Sequence, residues 1–88
     1  MARAVRTYLE YFGSNLRRCR LKRGLTQEAL ATTAGMDARF IRRIERGSMN
    51  LRFDTIVRLA DALDVEPAAL LRKTKVVRPK PGRPRRKI

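Results

Sequence analysis

The sequence predicts an all-α domain of five short helices followed by an extended basic arm. Three observations predict it. Apolar residues recur at helical spacing from Val5 to Leu63 and do not alternate as strand residues would. Gly, Thr and Asp punctuate that pattern at short intervals, as helix caps do. Charge is unevenly spread: of 22 Lys and Arg and eight Asp and Glu, nine basic and no acidic residues fall within 72–88.

The first helix begins at Thr7-Tyr8-Leu9-Glu10, which has the form of a capping box, Thr at the N-cap and Glu three residues on. Val5, Leu9, Phe12 and Leu16 then share one face, and Gly24 stops the helix near Arg23. Gly13 inside it costs about 1 kcal/mol relative to Ala, so a break there with a new start at Ser14 is the competing reading. In LTQEALATTAG, Thr26 is the N-cap, Glu28 puts an acid in the first turn, Leu25, Ala29 and Leu30 are apolar, and Gly35 ends the second helix. Asp37 caps the third, which Gly47 closes. Two short helices joined by a tight turn with glycine form a helix-turn-helix. Phe53, Ile56, Val57, Ala60 and Leu63 give a fourth helix over 53–63, and Pro67 opens a fifth that ends near Arg72. VVRPKPGRPRRKI, with three prolines and no helical period, is a flexible or extended arm. The chain thus divides into residues 1–11, an N-terminal extension or the start of helix 1, a domain over 12–72, and a basic tail over 73–88.

The third helix carries the strongest signal. In DARFIRRIERG, Arg39, Arg42, Arg43 and Arg46 lie three, four and seven residues apart, which places them on one stripe of a helix turning about 100° per residue. Ile41 and Ile44 fall on the opposite side, with Phe40 at its margin. Like charges at such spacing destabilise an isolated helix by about 0.2–0.5 kcal/mol per pair, so the stripe is matched to something outside the helix. With a net charge of +14, of which the tail holds nine and the body five, that partner is a polyanion, nucleic acid before an anionic membrane surface.

Other classes drop out. No run is long enough to span a bilayer, and the N-terminus lacks a secretory h-region. Cys19, the single cysteine, cannot form an internal disulfide, which fits a reducing cytoplasm, and it reads as a small filler on helix 1. With no histidine and one thiol, neither a metal site nor a cofactor is expected, and the commonest general base is missing. Catalysis is not expected.

At this point the residues resemble a known family. LTQEALATTAGMDARFIRRIERG resembles the Cro/C1-type (XRE-family) helix-turn-helix of phage repressors and bacterial regulators, and FGSNLRRCRLKRG and DTIVRLADALDV resemble that family's first and fourth helices. The likeness covers about residues 12–71 and implies a compact five-helix lambda-repressor-like domain. The spacing also resembles that of the small controller proteins of restriction–modification systems. By resemblance, Gln27 bonds a DNA phosphate and Asn50 contacts another. Ala38, Arg39 and Arg43 face base edges in the major groove, with Arg42 and Arg46 beside them reaching a base or a phosphate. Arg20 and Glu45 form an internal ion pair that ties helix 1 to the end of helix 3, and Val65, Leu70 and Leu71 are the dimer candidates. Two departures stand out: Asp64 replaces the glycine usual after helix 4 and needs a left-handed backbone, and Arg52 replaces the usual Ser or Thr cap.

Physics supports the stripe independently. The major groove is about 12 Å wide and admits one helix, and arginine pairs bidentately with guanine, each good pair discriminating by about 1–3 kcal/mol. No Asn or Gln stands on the helix to read adenine, so half-sites containing guanine are expected.

In the tail, PGRPRRK resembles the Gly-Arg-Pro core of an AT-hook, a resemblance that implies Gly82, Arg83, Pro84, Arg85 and Arg86 as DNA-contacting residues, with Arg83 as the inserted side chain. Pro81 stands where the fuller motif has arginine, and a generic basic arm on phosphates explains the same composition. Tyr8, Phe12, Phe40 and Phe53 read as core, and Gln27 and Asn50 have an ordinary surface-polar reading beside the functional one.

The expected function is a sequence-specific regulator of transcription, a repressor by the family's habit. It would bind double-stranded DNA as a homodimer in the cytoplasm, associated with the nucleoid, with no membrane or metal. Two other readings stand beside it: an antitoxin that neutralises a toxin partner and regulates its own operon, and a nucleoid architectural protein of low sequence preference.

Overall fold

Residues 2–77 are described in the computed structural model of the protein, and no strand occurs among them. The order is α1 (Arg3–Lys22), α2 (Gln27–Ala34), α3 (Ala38–Glu45), α4 (Phe53–Ala62) and α5 (Pro67–Leu70). Gly82, Arg83, Pro84, Arg85 and Arg86, and with them the AT-hook expectation, lie outside the described residues.

Helix α1 corrects the expected start at Thr7. It begins at Arg3, after an Ala2 N-cap that lends no side chain, and Thr7 sits a full turn inside, its hydroxyl donating to the Arg3 carbonyl at 3.1 Å. A hydroxyl that bonds back to the carbonyl four residues earlier is compatible with a helix interior, so the Thr-x-x-Glu pattern here does not start the helix. Nor does Gly13 break it. A Cβ at Gly13 would lie 2.8 Å from the Glu45 carbonyl oxygen and closer still to that of Ile44. The glycine is there because the backbone of α3 ends against it, and the propensity cost of about 1 kcal/mol gains this close crossing.

The C-terminal ends of α1 to α4 follow one device. After α1, Gly24 N–H donates to Leu21 O and Leu25 N–H to Arg20 O; after α3, Gly47 donates to Ile44 O and Ser48 to Arg43 O. This crossed pair is the Schellman stop, which needs a left-handed residue. After α4 the same pair forms with Asp64, at φ 57°, in the glycine's place: Asp64 N–H donates to Asp61 O and Val65 N–H to Ala60 O. Helix α5 closes sooner than expected, at Leu70. The N-cap of α4 is Arg52, with no capping side chain; its Nε instead donates to Asp54 at 3.2 Å.

One core joins all five helices. Phe12 and Leu16 of α1 meet Leu30, Ala31 and Ala34 of α2, Ile41 and Ile44 of α3, Leu59, Ala60 and Leu63 of α4, and Leu70 of α5. Helix α1 packs on α3 and α5, while α2 packs on α3 and α4. The expected core aromatics need correction: Phe12 is fully buried, but Tyr8, Phe40 and Phe53 are exposed, Phe53 at 78%. The reason is winding. Leu59 and Leu63 centre the buried face of α4, which leaves Phe53 about 100° and Val57 about 140° away. Tyr8 instead stacks edge-on with Tyr11, ring centroids 5.3 Å apart. Leu70, fully buried, is unavailable as a dimer contact, whereas Leu71 is exposed and Val65 half-buried.

Candidate nucleic-acid interface

Helix α3 starts at Asp37, whose carboxylate does two things. It accepts the Arg39 backbone N–H at 2.8 Å, capping the helix, and it accepts from the Arg39 side chain at 2.9 Å (Nη2) and 3.3 Å (Nε). The Arg39 side-chain bond is the main reason the Asp37 carboxyl is lowered to about 2, and the carboxylate in turn raises the guanidinium. Asp37 therefore holds Arg39 at the exposed N-terminal end of the helix.

From there the stripe runs outward. Ile41, Ile44 and Glu45 are buried, while Arg39, Arg43 and Arg46 are exposed. Taking Ile41 as the centre of the buried face, Arg39, Arg43 and Arg46 lie about 140–200° round the helix. Arg42 lies only about 100° away and is half-buried. The narrow four-residue stripe expected from spacing is thus three exposed arginines with Arg42 on its flank. Arg46 has left the helix and forms its C-cap. Ala38 is half-buried and packs against the core. Among the described residues, no carboxylate lies within 4.0 Å of Arg42, Arg43 or Arg46.

The inner face of the same helix is the opposite case. Glu45 is 5% exposed and Arg20 is 6%. Arg20 grips the carboxylate in a fork, Nε to Oε2 at 2.6 Å and Nη2 to Oε1 at 3.1 Å, and spends Nη1 on the Leu25 carbonyl at 2.7 Å. Gln27 Nε2 donates to Glu45 Oε1 at 3.1 Å, and Arg17 stands 3.9 Å from the same oxygen. No buried side-chain nitrogen or oxygen among the described residues lacks a partner. Three helices are thereby tied at one carboxylate, with Gln27 held at the first turn of α2.

Asn50, exposed in the loop after α3, turns its Oδ1 to the Leu51 backbone N–H at 2.9 Å. That loop also borders an apolar cleft lined by Met36, Phe40, Ile44, Met49, Leu51 and Thr55. Two features of the site escaped the sequence reading. The Asp37 grip on Arg39 was signalled only by an acid two residues before an arginine. Arg17 as a second cation near Glu45 had no local signal at all. Among the described residues no cluster could hold a metal ion, and no helix is long and apolar enough to cross a membrane.

This geometry agrees with comparisons to known proteins. Residues 16–70 match the HTH_3 helix-turn-helix family. An uncharacterised HTH-type transcriptional regulator of Sinorhizobium fredii, y4dJ, is 37% identical over 62 residues, 70% of this chain and 80% of that protein. Control protein C.BamHI of Bacillus amyloliquefaciens is 39% identical over 61 residues, 68% of this chain and 75% of its own. Among solved structures, the restriction-modification controller protein C.AhdI from Aeromonas hydrophila superposes with a TM-score of 0.68 at 44% identity, covering 70% of this chain and 94% of that one. The chain belongs to the HTH_3 helix-turn-helix family.

Proposed function

We propose that this chain, a DNA-binding transcriptional regulator of the helix-turn-helix class, reads its sites by laying α3 in the major groove. Arg39, Arg43 and Ala38 face base edges, Arg42 and Arg46 reach a base or a phosphate, and Gln27 and Asn50 sit on phosphates. The observation that carries this reading is the outward run of arginines with no carboxylate within 4.0 Å of Arg42, Arg43 or Arg46 among the described residues, on a helix whose inner charges are matched. Phosphates around a groove relieve that repulsion, and guanine edges accept the fork.

Residues 12–72 are the DNA-binding domain on this reading, and 73–88 a tail whose Gly82, Arg83, Pro84, Arg85 and Arg86 track phosphates or enter the minor groove in the manner of an AT-hook. One module of this size covers about 600–1,000 Å² on DNA, so the chain works as a homodimer on half-sites about 34–36 Å apart. Exposed Leu71, Phe53 and Val57, with half-buried Val65, supply the apolar surface for pairing. The likeness to two control proteins supports a role as a controller of gene expression of that kind, by binding and not by catalysis, in the cytoplasm beside the nucleoid. The antitoxin reading has no such support.

Selection from a randomised duplex pool tests this. The wild type should enrich a palindrome with guanine in each half, and Arg39→Ala and Arg43→Ala should lose it. Tight binding with no enriched motif would replace this reading by that of an architectural protein.

A further inference from the structure

The chain after α5 does not leave the domain at once. Asn15 Nδ2 donates to the carbonyls of Leu70 at 3.1 Å and Arg72 at 2.9 Å. Arg18 follows, Nη1 donating to Thr74 Oγ1 at 2.8 Å and Nη2 to the Lys75 carbonyl at 2.5 Å, with a further bond to Asn15 Oδ1 at 3.3 Å. Last, the Val77 N–H donates to the hydroxyl of Ser14 at 3.0 Å, and Ser14 is buried. Five polar groups between Leu70 and Val77 are thus held by three residues on one side of α1, Ser14, Asn15 and Arg18.

The place of the last bond matters. Ser14 is next to Gly13, the residue against which the Ile44 and Glu45 carbonyls of α3 end. The segment is therefore released beside the C-terminal end of the arginine helix. Beyond Val77 the sequence carries Arg78, Lys80, Arg83, Arg85, Arg86 and Lys87 and no acid in 11 residues. Extended, such a length reaches at most about 36–40 Å, some three times the width of the major groove.

We propose that Ser14, Asn15 and Arg18 form a clamp that positions the root of the basic arm, so that the arm meets the DNA backbone flanking the groove occupied by α3. This rests on the reading of α3 as the groove-binding helix. A fixed root raises the effective concentration of the arm at nearby phosphates, where a free tether would spread it over a larger volume. The clamp residues touch no DNA themselves; they act through the arm.

The test uses the full chain in two backgrounds, wild type and a variant with Arg78, Lys80, Arg83, Arg85, Arg86 and Lys87 all changed to Gln. Into each are placed Asn15→Ala and, separately, Arg18→Lys, which keeps the charge but loses the guanidinium fork. Binding to the pool-selected duplex and to an unrelated duplex of equal length is followed across salt concentrations. With the arm intact, each clamp variant should bind both duplexes about three- to tenfold more weakly, with a salt slope moved towards that of the neutralised-arm chain. With the arm neutralised, the same substitutions should change nothing. Unchanged affinity in the first background, or equal losses in both, would overturn the clamp while leaving α3's role intact. A wild type that binds no duplex would overturn both.

Discussion

The two faces of α3 treat charge in opposite ways. On the inner face a single carboxylate, Glu45, receives a forked arginine, an amide and a second arginine at the edge of ion-pair range. On the outer face, Arg43 and Arg46 have no carboxylate within 4.0 Å among the described residues, and Arg39 is tethered to one exposed acid. Inside a protein an unmatched charge is expensive, so removing one partner of the inner set costs the domain stability. Outside, water covers the cost until a polyanion displaces it. Matched charge on this helix marks what holds the domain together, and unmatched charge marks what it holds.

That division is broken most forcefully from within. Glu45→Ala leaves Arg20 buried without its partner and should destabilise by about 3–5 kcal/mol, read by denaturant unfolding. Next is the crossing of α1 over α3. Gly13→Ala drives a methyl into backbone carbonyls that cannot swing aside, at a cost of about 1–3 kcal/mol in the same assay, with the N-terminal end of α1 displaced from α3.

Two smaller changes sharpen the comparison without breaking it. Asp64 holds a left-handed backbone, φ 57°, that glycine adopts without penalty, so Asp64→Gly should stabilise by about 0.5–1 kcal/mol despite the freer unfolded chain. Asp37 gives a pH signature. Its carboxyl is lowered from 3.8 to about 2 in the folded chain, chiefly by the Arg39 side-chain bond. Its contribution is therefore complete above about pH 4 and lost as pH falls towards 2. Thermal unfolding between pH 5 and 2 should show a slightly steeper decline for the wild type than for Asp37→Asn.

What the sequence disclosed, and what it withheld, follows the range of the interactions. The bounds of α2 and α3 were legible because Thr26 and Asp37 cap within three residues and Gly35 and Gly47 stop locally. The left-handed Asp64 was legible for the same reason. The outward sense of Arg39 and Arg43 followed from winding alone. Exposure of Phe40 and Phe53 was not legible, because hydrophobicity does not say which side of a short helix meets a neighbour. The Thr7 pattern misled because a hydroxyl serves equally as a cap and inside a helix. The clamp was invisible, since its partners lie 55–63 residues from α1 along the chain.

The most direct measurement compares specific and unrelated duplexes for the wild type and for Arg39→Ala and Arg43→Ala. Each substitution should cut the preference for the selected duplex by about 1–3 kcal/mol, roughly five- to 150-fold. Binding to unrelated DNA should weaken far less, and unfolding free energy should move by no more than about 0.5 kcal/mol. Equal losses on both duplexes would mean that these arginines serve only phosphates. A loss of stability as large as that of Glu45→Ala would mean that the outer charges are matched after all.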